Sequence, residues 1–485
     1  QWEFIVYDKL DRPVATGPAF SPYGSATAVG WMITEYDAFG RVTQTGWKQM
    51  TVSTTDRASN QNLVNGGSNP FILAVDDLIL TKNYYDDYSY ANAPNVPSQV
   101  LTQNTTTSVR GLPTGSWTKV LDSNNPNASE MSYTLYDDRY RPVSTYTSNH
   151  LGGFTQVDSK LDWAGKTEYT VTTHKYDTNG TVVTITDIFE YTDQDRLKLH
   201  KQLIAGGSEQ LIAKNEYDEL GQLISKNVGG LDTTGATGLQ TVDYSYNIRG
   251  WLKAINDVEN IGTDLFTFKI NYNNFESLGD FDDSANPLYN GNISSTYWKS
   301  SSDNVLRKYN YSYDELNRLL EANYLKPENA STPDNYLEKL TYDKNGNIQT
   351  LLRNGDRDTD GAQIVNVIDD LVYSYDANNK NLLMKVMDKS TASQGFNESL
   401  DTNSNGITDN KDDYFYDANG NMTKDENKGI TNIVYNHLNL PTKIFVGANT
   451  IEYLYNATGQ KIAKKVTENS TITTTEYLAG GFQYK

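Results

Sequence analysis

The chain has 485 residues and a mass of 54.3 kDa, with 35 Tyr, 14 Phe, 7 Trp, 35 Gly, 13 Pro and no Cys. Only 37% of residues are hydrophobic, which argues against one thick aliphatic core, and the missing Cys excludes disulfides, thiol catalysis and Cys-zinc sites. A net charge of −20 opposes nucleic acid and anionic lipid as partners, because binding phosphate needs clustered Lys and Arg.

The chain opens on Gln1-Trp2-Glu3-Phe4, already in a strand-like pattern, and is expected to be an internal piece of a longer polypeptide. From Tyr7 onward one pattern recurs: Tyr, then Asp or Asn, two variable residues, Gly or Asn/Asp, a polar residue and an aliphatic one. It starts at Tyr7, Tyr36, Tyr136, Tyr176, Tyr191, Tyr217, Tyr246, Tyr313, Tyr342, Tyr375, Tyr416, Tyr435 and Tyr455, which makes 13 copies. A weaker relative is Tyr289-Asn290-Gly291-Asn292-Ile293.

Asp or Asn at the first position of a type I turn can hydrogen-bond the backbone two residues on, and Gly is favoured at the fourth. The trios Tyr36/Asp37/Gly40, Tyr217/Asp218/Gly221, Tyr342/Asp343/Gly346 and Tyr416/Asp417/Gly420 fit, and Tyr313/Asp314/Asn317 fits with Asn in the Gly slot. Asp11, Asp195, Asn379 and Asn439 fill that slot elsewhere, and Asp and Asn are the non-Gly residues that best tolerate positive φ. Tyr140 is the one departure, so strain or a different turn is expected there. The flanks alternate, as in Lys308-Tyr309-Asn310-Tyr311-Ser312-Tyr313, and each turn is followed by a second short apolar run. Each copy therefore reads as one β-hairpin, and residues 1–485 as one continuous ribbon of hairpins.

Between hairpins, residues near 50–70, 91–130, 229–241, 274–305, 325–337 and 388–412 are rich in Asn, Ser, Thr, Asp and Gly and read as loop inserts. The best helix candidate is Pro70–Leu80, opened by Asn69-Pro70. No run of about 18 apolar residues occurs, so no membrane-spanning helix is expected.

Catalytic motifs are missing: no G-x-S-x-G, H-E-x-x-H or G-x-G-x-x-G occurs. Trp163-Ala164-Gly165-Lys166-Thr167 ends like a phosphate-binding loop but lacks the first Gly, and reads as a structural turn. His150, His174, His200 and His437 show no metal spacing, and His437 reads as an exposed turn residue. The Trp residues are expected to pack against the sheet.

Two acidic loops are candidate calcium sites. In residues 401–412, Asp401, Asn403, Asn405, Asp409 and Asp412 offer side-chain oxygens in calcium-loop register, Ile407 a backbone carbonyl, and Gly406 the sharp turn. Asp356, Asp358 and Asp360 begin a second such loop, with Asp369 or Asp370 needed to close it.

Tyr416-Asp417-Ala418-Asn419-Gly420-Asn421-Met422 and Tyr313-Asp314-Glu315-Leu316-Asn317-Arg318-Leu319 resemble the repeat of the Rhs/YD-repeat family. That family includes bacterial polymorphic-toxin shells, C components of insecticidal toxin complexes and teneurins. The resemblance runs over nearly the whole chain, and Tyr477–Tyr484 is similar to Rhs proteins of Bacteroidota. It implies an all-β strip spiralling into a full or partial hollow shell, non-enzymatic and secreted or on the cell surface, around a polypeptide such as a toxin. Its partners would be its own C-terminal cargo or a secretion apparatus, with type IX export suspected. The Asp-Pro-x-Gly core motif of toxin-carrying members does not occur, so no protease residue carries over. Alternatives are a β-propeller as architecture, and an adhesin, a carbohydrate-binding β-protein or a polysaccharide-cleaving enzyme as function.

Overall fold

The computed structural model describes residues 3–23, 28–74, 77–273, 287–327, 335–355, 366–398 and 412–485. Along them the chain runs as antiparallel hairpins, almost every strand pairing with the next. One sheet of 26 strands starts with β1 (Phe4–Tyr7) and β2 (Pro13–Phe20) and ends at Leu383–Asp388. A second sheet of 8 strands runs from Tyr414–Tyr416 to Gln483–Tyr484. The main detour is at Leu78–Asp86, which pairs with Val109–Lys119 and leaves a side hairpin between them. A propeller would divide into blades of about four strands. The long unbroken sheet, not closed into a barrel, is instead the expected strip of hairpins.

The helix lies elsewhere than expected. Thr54–Asn65 (α1) is helical, inside the stretch read as a loop, while Leu78–Asp86 is a strand. Ser53 caps α1 by accepting from the Asp56 amide at 3.1 Å, a start signal that the nearly all-polar sequence of the helix obscured. The polar face has a use. Gln61 accepts from the Tyr7 amide at 3.1 Å and donates to the Tyr7 carbonyl at 2.8 Å, and Arg57 donates to the Ile5 carbonyl at 3.0 Å. Side chains of α1 thus take the place of a neighbouring strand and cover the outer edge of β1.

No thick aliphatic core exists among the described residues. The largest apolar cluster, Val6, Val14, Ala15, Trp31, Ile33, Val64, Phe71 and Leu73, lies under α1. The rest of the strip is held by smaller groups and by ring stacks such as Tyr133–Tyr146 at 4.7 Å and Trp298–Tyr309 at 5.6 Å.

Candidate functional site: the turn row and the winding seam

Eleven of the 13 motif copies form one five-residue turn. At Tyr36, the Asp37 amide donates to the Arg41 carbonyl at 3.0 Å and the Gly40 amide to the Asp37 carbonyl at 3.1 Å. The Asp37 carboxylate accepts from the Phe39 and Arg41 amides, both at 2.9 Å. The fifth motif position takes positive φ: 83° at Gly40, 89° at Gly221, 63° at Asn317, 92° at Gly346 and 85° at Gly420. In these eleven copies the register slips by one residue at the motif Tyr, as at Tyr36, Tyr217, Tyr313, Tyr342 and Tyr416, which makes a type I turn with a bulge.

Asp218 corrects the expected side-chain bond. Its backbone closes the shared turn, with the Asp218 amide 3.0 Å from the Gln222 carbonyl, and its carboxylate accepts from the Gln222 amide at 2.8 Å. It does not accept from the Leu220 amide two residues on, although Asp37 and Asp314 accept from Phe39 and Leu316 at that position. The sixth position adds a further difference. Arg41 and Arg318 donate through Nε to the second carboxylate oxygen and fix its plane, whereas Gln222 makes no such bond to Asp218. Asp218 therefore holds its turn by one carboxylate bond instead of three.

Tyr140 adopts the same turn at φ 64°, with its amide 3.0 Å from the Asp137 carbonyl. A side chain in that region costs about 1 kcal/mol or more. Tyr140→Gly is therefore expected to stabilise the protein by about 1 kcal/mol, read as a raised midpoint in thermal denaturation.

Two copies depart from the shared turn. The one at Tyr375 has a longer turn, closed from Asp376 to Leu382, and Asn379 does not take positive φ. The one at Tyr176 turns without the bulge. Two turns of the shared kind lack the Tyr signal altogether, at Asn149–Gly153 and Asp162–Lys166. The second is the loop with a phosphate-site ending, and it is the structural turn expected, with Gly165 at φ 98°.

The motif Tyr staples one hairpin to the one before. The hydroxyls of Tyr36, Tyr85, Tyr136, Tyr191, Tyr217, Tyr246, Tyr272, Tyr313, Tyr342, Tyr375, Tyr416 and Tyr435 each donate to a backbone carbonyl at 2.6–3.2 Å. The acceptor usually sits at the seventh position of the preceding copy: Pro13 for Tyr36, Leu197 for Tyr217, Leu319 for Tyr342. Phe would fill the same space and leave that carbonyl without its donor. Tyr85 and Tyr272 lie outside the 13 copies because Ser89 and Glu276 stand where the pattern has Gly, Asn or Asp.

The sixth position adds a second link. Arg318 donates through Nε to Asp314 at 2.6 Å and through Nη1 to the Asp343 carbonyl at 3.1 Å, and lies 4.6 Å from the Tyr342 ring centre. Arg12 and Arg41 repeat the pattern, Arg41 reaching the Asp86 carboxylate. The Arg318 amide, together with its guanidinium, holds the Asp314 carboxyl below the usual range.

Burial raises the phenol pKa of most staple tyrosines, including Tyr136, Tyr272, Tyr313, Tyr375 and Tyr416. A phenol raised on folding contributes stability that is complete below its unfolded value of about 10 and is lost as pH climbs through the folded value. Phenolate absorbance should therefore rise above pH 10 together with loss of the β-sheet circular dichroism, in one cooperative step.

At the far end of the strands the second sheet lies on the first. The Leu121 amide donates to the Tyr455 carbonyl at 2.9 Å, the Ala457 amide to the Lys119 carbonyl at 2.7 Å, and Asn456 Nδ2 to Glu130 at 2.9 Å. Val120, Ala128 and Ile462 form a small dry core there. Further along, Thr155 donates to the Ala479 carbonyl at 3.0 Å, His150 Nε2 lies 3.2 Å from Glu476, and the His174 ring stacks on Phe482 at 3.7 Å. The contacts keep step: Asn456 meets Glu130 across 326 residues, and Thr155 meets Ala479 across 324. Turns of the second sheet sit on loops at the far end of the first, so the strip has wound once round and overlapped itself. We call this line of contact the seam.

Two cavities open along the seam. One of about 420 Å³ lies between residues 16–20 and the turns at Ala418 and His437. Another of about 500 Å³ lies between Tyr23, Leu121 and Asp122 and the strands carrying Lys443, Glu452 and Lys465. His437 is therefore not the exposed turn residue expected. Both its ring nitrogens are buried without a hydrogen-bond partner among the described residues, and burial pushes its pKa down to about 4. Its turn is covered by the first winding, a contact between residues more than four hundred apart, which local pattern does not reveal. Trp31 and Trp47 pack as expected, whereas Trp163 is 82% exposed.

Of the calcium candidates, Asp401, Asn403, Asn405, Ile407, Asp409, Asp356, Asp358 and Asp360 lie outside the described residues. Asp412 is exposed. Asp369 is fully buried and its carboxylate is taken by Arg353, at 2.5 Å, and by the Phe396 amide. No cluster of three or more His, Asp or Glu that could hold a metal occurs among the described residues.

No protein-family model and no curated protein matches the sequence. Among solved structures, the fold is similar to a chain of the Photorhabdus luminescens Tc holotoxin pore carrying a TccC3 mutation, at a TM-score of 0.51 and 15% identity. That match covers 97% of this chain and 20% of the other, so the chain spans about a fifth of the protein it overlies. Chains of the TcdB2-TccC3-Cdc42 and TcdB2-TccC3-TEV crystal structures match 98% of this chain at 12% identity, with TM-scores of 0.42 and 0.22, over 26% and 22% of their own lengths. What is shared with the holotoxin chain is the fold, the one the repeat pattern implied.

Proposed function

We propose that the chain is a wall, a non-enzymatic strip of a secreted or surface protein that winds on itself and encloses or presents another polypeptide, such as a toxin. The observation that carries this is the seam. Strands Val109–Lys119 and Asn449–Tyr455 meet there after roughly 23 strand steps. At about 4.8 Å per step, the winding has a perimeter of roughly 110 Å, and a round section of that perimeter is about 35 Å across. A wall one sheet thick and about 10 Å deep then leaves a lumen, not a core. The likeness to a holotoxin chain supports the same reading. Small-angle scattering tests it: a distance distribution with a depleted centre is expected, and that of a solid globule of 54.3 kDa would overturn it.

A cargo made by the same polypeptide, type IX export and calcium in the loops at 401–412 and 356–361 belong to this proposal. Titration calorimetry with calcium chloride tests the last: saturable heat at or below millimolar calcium is expected, and no heat removes the metal. A second reading, glycan binding at the surface, is favoured by Trp163, whose exposed ring has the Arg139 guanidinium 5.5 Å from its centre and Asn104 and Asp138 nearby. On a glycan array Trp163→Ala should abolish any hit; an array without hits removes this reading.

A further inference from the structure

Three of the four histidines, His150, His174 and His437, stand along the seam, although they are scattered in sequence. Thr155 has one hydroxyl proton, and it goes to the Ala479 carbonyl at 3.0 Å. Thr155 Oγ1 must then accept from His174 Nδ1, 2.8 Å away, which leaves His174 Nε2 as a bare lone pair. That nitrogen is buried and has no donor or acceptor among the described residues, and the whole residue is 0% exposed. The ring lies between strand Gly152–Leu161 and the second winding, stacked on Phe482 with Tyr484 beyond it at 5.7 Å. A proton on Nε2 would place a cation and an unmet donor in this contact. His437 lines the cavity of about 420 Å³, and both its ring nitrogens are buried without a partner among the described residues.

We infer that the seam is an acid-sensitive closure, held shut only while His174 and His437 are neutral. This rests on the wall reading and adds a way for the wall to open.

The surrounding charges fix the direction. Around His437, the cavity is lined by Thr16, Gly17, Pro18, Phe20, Met32 and Asn436 among others, and Glu3 is its one charged side chain. Glu3 is exposed at the rim and is a weak counter-charge. On the winding that faces His174, Glu476 is the strand partner of Tyr484, and its carboxylate lies 3.2 Å from His150 Nε2 without a hydrogen bond among the described residues.

A histidine whose pKa falls on closure favours the closed state fully above its free value. That preference is lost as pH drops below it. For His437, at 6.5 when free and about 4 in the closed seam, the opening equilibrium at pH 5.0 is raised roughly 30-fold, with His174 adding to it.

Hydrogen exchange on the full chain at pH 7.5 and 5.0, corrected for intrinsic rates, tests this. The amides of Leu121 and Ala457, bonded across the seam, should lose protection at least tenfold at pH 5.0. Amides inside the hairpin at Ile185–Ile204 should not change. His437→Ala, which puts at this turn position the residue found at Ala418 and Ala457, should suppress most of the acid effect. Unchanged seam exchange at pH 5.0, or the same acid response in His437→Ala and in a separate His174→Gln variant, would overturn the inference. If scattering at pH 7.5 gives a solid globule, the wall reading itself fails; a hollow particle whose seam ignores acid sinks only the closure.

Discussion

Asp137→Ala is expected to destabilise the protein by about 3 kcal/mol, the cost of breaking a buried charge pair and orphaning its partners. The Asp137 side chain is 3% exposed. One carboxylate oxygen accepts from the Arg139 and Arg141 amides at 2.9 Å each, and the other binds Arg141 Nε at 2.7 Å. Burial alone would raise this carboxyl, but the Arg141 amide and guanidinium and the Arg139 amide outweigh it and hold its pKa low. The damage should spread forward, because Arg141 also donates to the Asp162 carbonyl at 2.9 Å. Asp137→Asn keeps the two amide bonds and should cost less than half as much. Urea denaturation of the two variants checks this; equal midpoints for Asp137→Ala and the parent chain would refute the turn as a structural lock.

Val120→Asp is expected to cost about 4 kcal/mol, the range of an unpaired charge in a dry contact. Val120 is 0% exposed, pressed against Ala128 and Ile462. The loss should be confined to the seam. Amides at Leu121 and Ala457 should exchange freely and the radius of gyration should grow, while the hairpins on either side stay folded. If the whole sheet melts together instead, the seam is part of one cooperative unit and cannot open independently.

Much of this strip was legible in sequence, for a definable reason. The turn chemistry is local: Asp37, Gly40 and Arg41 lie within five residues, so the pattern that builds the turn is also the pattern that the eye finds. Tyrosine spacing reported hairpins for the same reason. Asp218 shows the limit of that locality, since its turn forms although its carboxylate makes only one of the three bonds seen at Asp37. What stayed hidden was whatever depends on distant chain. The sequence of α1 is mostly polar because it meets strand backbone and gives only Val64 to the apolar cluster beneath it, so no apolar stripe announced it. The role of His437 depends on residues 16–20, and that of His174 on Phe482. The turn at Asp162 lacks its Tyr, and Asn149 is preceded by Ser148; there hydrogen bonds keep the shape without the signature.

The seam also sets an arithmetic for change. Turn row and seam tolerate long inserts, because an insert leaves the sheet at its rim without altering how many strands lie between Glu130 and Asn456. Deleting one whole hairpin is different. It shortens the perimeter by two strand spacings, about 10 Å, and slides every contact of the outer winding past its partner. Asn456 would then miss Glu130, and Phe482 would miss His174. Loops can lengthen one residue at a time, but the number of strands in a winding can change only if both windings are rewritten together.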